Sequence, residues 1–142
     1  MNGLRDREKT DIVFTNGCFD IFHYGHLHLL REARKLGDSL IVGINTDDSV
    51  KRLKGEDRPI FPLMYRSEIV ASLIYVDGIV PFKTDTPIDL IKRIRPKVLV
   101  KGGDWEDNIV GAEFVKSYGG RVVTIPLIEG LSSTSLIGHE SI

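Results

Sequence analysis

Two histidines, a lone cysteine, an aspartate, an asparagine and two glycines fall within "TNGCFDIFHYGH", residues 15 to 26. Four chemistries suit such a set: a cysteine–histidine nucleophile, a metal pair, a phosphate cradle, or the polar start of an ordinary buried helix. His23 and His26 stand three apart, so on a helix they share one face. At a helix N-terminus that face lies beside free backbone N–H groups and the positive end of the dipole, where an anion is held well. Gly25 between them lets a ligand approach the backbone closely. The helix-borne zinc pair of the H-E-x-x-H type uses i, i+4 spacing with a glutamate, which weighs against a metal. An incidental polar surface stays open on spacing alone. Cys18, a single small thiol beside a strand end, is more often a packed residue than a nucleophile.

The elements that must position these residues follow from hydrophobic patterning. Five short runs are apolar and rich in β-branched residues: "DIVFT" (11–15), "SLIVGIN" (39–45), "GIVPF" (78–82), "KVLVK" (97–101) and "RVVTI" (121–125). Continuous runs of this kind fit strands covered on both faces, as in a parallel sheet. Helical patterns lie between them. Leu29, Leu30, Ala33 and Leu36 repeat at helical spacing, with Gly37 as the stop. "LMYRSEIVASL" (63–73) follows Pro62. "TPIDLIKRIRP" reads as a helix with Thr86 as N-cap and Pro87 at its first position. Strands alternating with helices predict an α/β fold, a Rossmann-like open parallel five-stranded sheet with helices on both faces. Ligands of such sheets sit outside the carboxyl ends of the strands, which directs attention to the segments after Thr15, Asn45, Phe82, Lys101 and Ile125.

Composition narrows the function. The 142 residues suit one domain, read as 1–142, with ordinary globular proportions of 42% hydrophobic and 27% charged residues. A net charge of -1 gives no general attraction to nucleic acid or an anionic membrane. Phosphate chemistry must therefore use a local cluster of cations. One cysteine excludes an internal disulfide or a cysteine-based zinc knuckle. The charged start "MNGLRDREKT" is not a signal peptide, and no run has the length of a membrane span, so a soluble cytoplasmic protein is expected. Neither G-x-G-x-x-G nor G-x-x-x-x-G-K-[ST] occurs, which lowers the standing of dehydrogenases and P-loop NTPases.

"NGCFDIFHYGHLHLL" resembles the signature of the cytidylyltransferase-like nucleotidyltransferases: a small-residue turn, Phe-Asp, then His-x-Gly-His. "LKGEDRPI", "YVDGIVPF", "VLVKGGDW" and "EGLSST" follow in the order seen in the adenylyltransferase domains of heptose-phosphate enzymes, so the likeness covers roughly residues 12 to 137. The resemblance implies transfer of AMP from ATP to a sugar 1-phosphate, with D-glycero-D-manno-heptose 1-phosphate as the expected acceptor and pyrophosphate released. Mg²⁺ would accompany the triphosphate, and relatives suggest a homodimer. A cytidylyltransferase acting on glycerol 3-phosphate or a similar polyol phosphate is the alternative. A non-catalytic nucleotide-binding module is the second.

Within that resemblance His23 and His26 donate to triphosphate oxygens, and the backbone N–H groups of Cys18 and Phe19 face the phosphates after the small turn Asn16-Gly17. Lys54 is expected to act as a catalytic cation from a mobile loop, "KGEDRPIFP" (54–62). Asp20, Lys54 and Lys83 belong on the acceptor side. Gly25, Arg66, Lys101, Gly102, Asp104, Ser132, Ser133 and Thr134 complete the expected nucleotide contacts, and Trp105 either stacks on a ligand or covers the core. Two departures bear on specificity. Leu127 and Ile128 stand where glycerol phosphate enzymes carry an arginine-threonine pair, which favours ATP. Lys83 stands where heptose enzymes tend to be acidic, which leaves the acceptor less firmly implied than the nucleotide.

Overall fold

The five β-branched runs become five strands in the computed structural model, which describes residues 10–103 and 108–128. The strands β1 (Ile12–Gly17), β2 (Ser39–Asn45), β3 (Gly78–Phe82), β4 (Val98–Gly102) and β5 (Arg121–Ile125) lie parallel in the order β3-β2-β1-β4-β5. Helix α1 (Tyr24–Arg34) follows β1, while α2 (Asp47–Lys54) and α3 (Leu63–Ala71) follow β2. Helix α4 (Ile88–Ile94) leads to β4 and α5 (Ala112–Ser117) to β5. Strands and helices alternate as the patterning predicts.

Strand alternation divides the interior into two layers. Val13, Leu40, Val42, Ile44, Val98 and Val100 project to one face, where Leu30 and Ala33 of α1 and Val70 of α3 cover them. Phe14, Phe82 and Leu99 project to the other, under Leu90 and Ile91 of α4 and Val115 of α5. Burial on both faces is why the strand sequences read as unbroken apolar runs. β1 is central: Val13 pairs with Leu40 on one side and with Val98 on the other. The strand order reverses between β1 and β4, and a crevice opens at their carboxyl ends.

Three local expectations are corrected. β1 runs to Gly17, because Asn16 and Gly17 still pair with Gly43 and Ile44, so these two residues end the strand and do not form the turn. Pro87, not Thr86, caps α4; no side chain caps that end, and the Thr86 carbonyl accepts from Thr84 Oγ1 at 2.6 Å. Gly37 is not the cap residue of α1, which is Lys35. A Cβ at Gly37 would lie 2.7 Å from Val13 Cγ2 and 2.8 Å from the Asp11 carbonyl oxygen. The glycine is therefore required for close packing of the α1–β2 connection against β1.

Candidate active site

At the β1–β4 reversal a cleft of about 280 Å³ is lined by Asn16, Gly17, Cys18, Phe19, Asp20, His26, Leu29, Lys54, Lys101, Gly102 and Leu127. Nine of the residues expected at the site thus meet in one place, brought there by β1, β4 and the ends of α1 and α2. A larger hollow of about 500 Å³ lies along α4 and α5, bordered by Ile88, Ile109, Gly111 and Phe114. The chemistry identifies the smaller one.

The two histidines are fixed by the helix start itself. His23 is the N-cap of α1, and its Nδ1 accepts the Gly25 N–H at 3.0 Å. His26 returns the arrangement, its Nδ1 accepting the His23 N–H at 3.2 Å. Two orphan donors of the first turn are met in this way, the task that serine and glutamate usually perform in a capping box. A nitrogen that accepts a hydrogen bond carries no proton, so each ring holds its proton on Nε2. The rings stack at 3.9 Å between centroids, and His26 also packs on Phe19 and Phe22. Burial lowers the His23 pKa. Burial, then the neighbouring His23 and Lys54 charges, lowers that of His26 to about 3. Both rings are neutral Nε2–H donors at pH 7. His23 Nε2 is buried and has no partner among the described residues, the condition of a donor awaiting a ligand oxygen. Gly25 spends its N–H on the cap and so offers the ligand close approach only.

Two cations serve the cleft differently. Lys101, at the end of β4, is half-buried and donates from Nζ to Asn16 Oδ1 at 2.8 Å. Burial lowers its pKa, and no carboxylate among the described residues pairs with it. A half-buried ammonium without a nearby counter-charge favours an anionic ligand. Lys54 is exposed at the end of α2, yet its charge is felt at both Cys18 and His26. Burial raises the Cys18 pKa despite Lys54, Arg66 and Arg58, so the thiol stays protonated at pH 7 and is a poor nucleophile.

The turn that follows β1 is strained where it meets the ligand cleft. Phe19 and Ile21 adopt φ of 51° and 50°, a left-handed conformation that costs an L-residue roughly 1–2 kcal/mol. A Cβ on Gly17 would sit 3.1 Å from the Phe19 ring, so the small residue admits that ring beside the strand end. Among the described residues the N–H groups of Cys18 and Phe19 have no acceptor.

Asp20 and Arg66 hold protein. Asp20 accepts from Ile60 N at 2.7 Å, Phe61 N at 2.9 Å and Arg58 Nε at 3.0 Å. Burial raises its pKa, but the Ile60 and Phe61 N–H groups and Arg58 outweigh that and lower it. Its carboxylate thus pins the second half of the 54–62 segment, which the sequence reading made one mobile loop; residues 54–57 remain exposed. Arg66, expected on nucleotide phosphate, has a side chain with no exposure and is bonded to four protein acceptors. Lys83 is exposed at the end of β3 and borders a separate cleft with Thr46, Thr84, Asp89 and Arg93. β3 is two strands from β1, roughly 10 Å. Asp104, Trp105, Ser132, Ser133 and Thr134 lie outside the described residues. Sequence reading missed Arg58, Leu29 and the lining role of Leu127. An arginine in a polar loop carries no signal of burial, and the two leucines look like ordinary apolar residues.

A model of the cytidylyltransferase-like family matches residues 14–137. The chain is 54% identical over 135 residues to the bifunctional protein HldE of Helicobacter hepaticus, a match covering 94% of this chain and 27% of that protein. It is 50% identical over 134 residues to the bifunctional protein HldE of Syntrophotalea carbinolica, with the same coverage. The chain therefore spans about a quarter of the length of these curated relatives. Among solved structures, a lipopolysaccharide core biosynthesis protein from Thermoplasma volcanium superposes with a TM-score of 0.68 at 25% identity, covering 84% of this chain and 97% of that one. A pantoate-beta-alanine ligase from Francisella tularensis, complexed with beta-gamma ATP and beta-alanine, shares the fold at a TM-score of 0.59 and 16% identity, covering 94% and 70%. By the family match and by these identities, the chain belongs to the cytidylyltransferase-like family.

Proposed function

We propose that this chain transfers AMP from ATP to a sugar 1-phosphate, with D-glycero-D-manno-heptose 1-phosphate as acceptor, giving an ADP-sugar and pyrophosphate. The observation that carries the reading is the cleft at the β1–β4 reversal. The neutral donor His26, on which His23 stacks, meets there the half-buried Lys101 and two backbone N–H groups that have no acceptor among the described residues. Such a site suits in-line displacement, in which the protein positions two substrates and stabilises developing charge. The acceptor phosphate oxygen attacks the α-phosphorus, a new P–O bond forms, and the bond to the β-phosphate breaks as pyrophosphate leaves. His23 and His26 donate to the oxygens that gain charge, each donor being worth roughly 10²–10³ in rate. Lys101 neutralises phosphate from the floor of the cleft and Lys54 from its rim.

Mg²⁺ belongs to the reading as a companion of the triphosphate. Among the described residues no three His, Cys, Asp or Glu side chains gather round a point. Both histidine Nδ1 atoms are occupied as well, so phosphate oxygens and water would hold the ion. It would supply charge neutralisation on the leaving pyrophosphate. Leu127, bordering the cleft where glycerol phosphate enzymes place arginine, supports ATP over CTP, and the likeness to heptose-phosphate enzymes supports the acceptor. A cytoplasmic homodimer completes the proposal: exposed Tyr65 and Ile69, four residues apart on α3, offer a second copy apolar surface.

A pyrophosphate-release assay crossing ATP, CTP, GTP and UTP with heptose 1-phosphate and glycerol 3-phosphate tests this reading. ATP with heptose 1-phosphate should exceed CTP by at least about tenfold in kcat/KM, since unpaired buried polar groups penalise the wrong base. Preference for CTP with glycerol 3-phosphate would replace the reading, and nucleotide binding without turnover would make the chain a binding module.

A further inference from the structure

Arg66 sits among apolar residues of α3, yet its guanidinium ties four separate segments together. Nε donates to the Phe61 carbonyl at 2.9 Å. Nη1 donates to the carbonyls of Cys18 at 2.8 Å and Asn45 at 2.7 Å. Nη2 pairs with the Asp47 carboxylate at 2.6 Å. Four of the five donors are used, and the side chain has no exposure. A buried guanidinium is tolerated only when its donors are met in good geometry, and an apolar side chain would fill the same space more cheaply. The acceptors therefore explain why arginine is there.

One of those acceptors, Cys18, lines the cleft, and two others hold the helix that ends at Lys54. The Cys18–Phe19 peptide is planar and trans, so its carbonyl and its N–H point in opposite directions. Arg66 holds the carbonyl, which directs the Phe19 N–H away from α3, and that N–H has no acceptor among the described residues. The same peptide leads into the left-handed Phe19, a conformation that needs support from its surroundings. On the other side Arg66 grips Asp47, the first residue of α2, and Asn45, the last of β2; the last residue of α2 is Lys54. One side chain thus fixes the orientation of a backbone donor and the seat of the helix that carries a cation.

We propose that Arg66 is a positioning residue for phosphoryl-group recognition: it aims the Phe19 amide and seats the Lys54 helix without touching the nucleotide. The kinetic part of the proposal rests on the adenylyltransferase reading; the ligand-free part does not.

The test uses Arg66→Lys and Asp47→Ala in the full chain. Lysine keeps the charge but cannot reach four acceptors in a fork. In ligand-free Arg66→Lys, the Cys18 and Phe19 amide resonances should move and exchange faster with solvent before any nucleotide is added. Turnover should fall by about 10²-fold, the scale of a misplacement of about 1 Å, with KM for ATP changed less than kcat. Asp47→Ala, which removes a partly exposed carboxylate, should lower kcat in the same direction and perturb the Lys54 amide. It carries the test if Arg66→Lys does not fold. Unmoved Cys18 and Phe19 amides in Arg66→Lys would overturn the proposal. So would recovery of wild-type kcat/KM by lysine alone, because charge and not geometry would then suffice. If the wild-type chain turns over no nucleotide, the adenylyltransferase reading fails while the ligand-free spectra still decide the role of Arg66.

Discussion

His26→Ala separates the two tasks that one ring performs. The substitution removes the Nε2–H from the cleft, and loss of one preorganised donor typically lowers kcat by about 10²–10³, or roughly 2.7–4 kcal/mol of transition-state stabilisation. It also removes the acceptor of the 3.2 Å bond from His23 N and the ring packed on Phe19 and Phe22. Loss of a helix cap alone costs about 0.5–2 kcal/mol. Turnover must therefore be read by pyrophosphate release beside a urea unfolding curve, at a temperature where the variant is folded. His26→Asn is the control, since its amide oxygen can keep the cap without restoring the donor. The pH dependence gives a second reading. The unfolded chain protonates this histidine near its ordinary value of 6.5, while the folded chain resists until about 3. Stability is then complete above pH 6.5 and declines as pH falls toward 3, by up to about 1.4 kcal/mol per unit. His26→Ala should flatten that decline, and wild-type kcat should show no histidine inflection near pH 6.5. A folded His26→Ala enzyme within about threefold of wild-type turnover would refute the donor assignment. A wild-type acid limb near 6.5 that vanishes in His26→Ala would refute the neutral tautomer.

Lys101→Met removes a charge-assisted contact worth about 1.5–3 kcal/mol, so ATP should bind about 10- to 100-fold more weakly by calorimetry; unchanged affinity would remove Lys101 from the phosphate floor. Cys18→Ala should keep most of the activity, because burial holds the thiol protonated and the backbone faces the ligand; a folded but inactive variant with a trapped covalent intermediate would overturn the in-line mechanism. Asp20→Ala leaves Arg58 and two N–H groups unmet, and should destabilise the chain by about 3–5 kcal/mol in urea. The Asp20 carboxyl is held below its ordinary 3.8, so its contribution is present above that value and lost only as pH falls through the lower folded value. Equal deficits at pH 5 and 7 are expected, and a deficit confined to pH 7 would contradict the assignment.

Local and periodic features were legible in the sequence; partnerships across long separations were not. The five runs of β-branched residues mark the strands because both faces of a parallel sheet are covered, and the helix carrying His23 and His26 is marked by three-residue spacing beside small residues. The tautomer of those histidines was hidden, because it depends on the backbone N–H groups that each ring caps. Asp20 and Arg58 lie 38 residues apart and Arg66 and Cys18 lie 48 apart, so nothing in either neighbourhood announces the bond. A charged residue in a helix or loop reads as solvated unless its partner is known, and only the family resemblance gave Arg66 and Asp20 a role on ligands. Their actual bonds change the physical picture of the 54–62 segment. Its far half is tied to the signature turn through Asp20 and to α3 through the Phe61 carbonyl, leaving residues 54–57 as the part not so tied. Any closure of Lys54 over phosphate draws on this stretch and the last turn of α2, which Gly55 ends with a φ of 107°. Gly55→Ala would put a side chain into a conformation that L-residues rarely adopt. It should slow turnover while leaving the histidine cap and the unfolding slope with pH intact, and full activity in that variant would show that Lys54 works from where it stands.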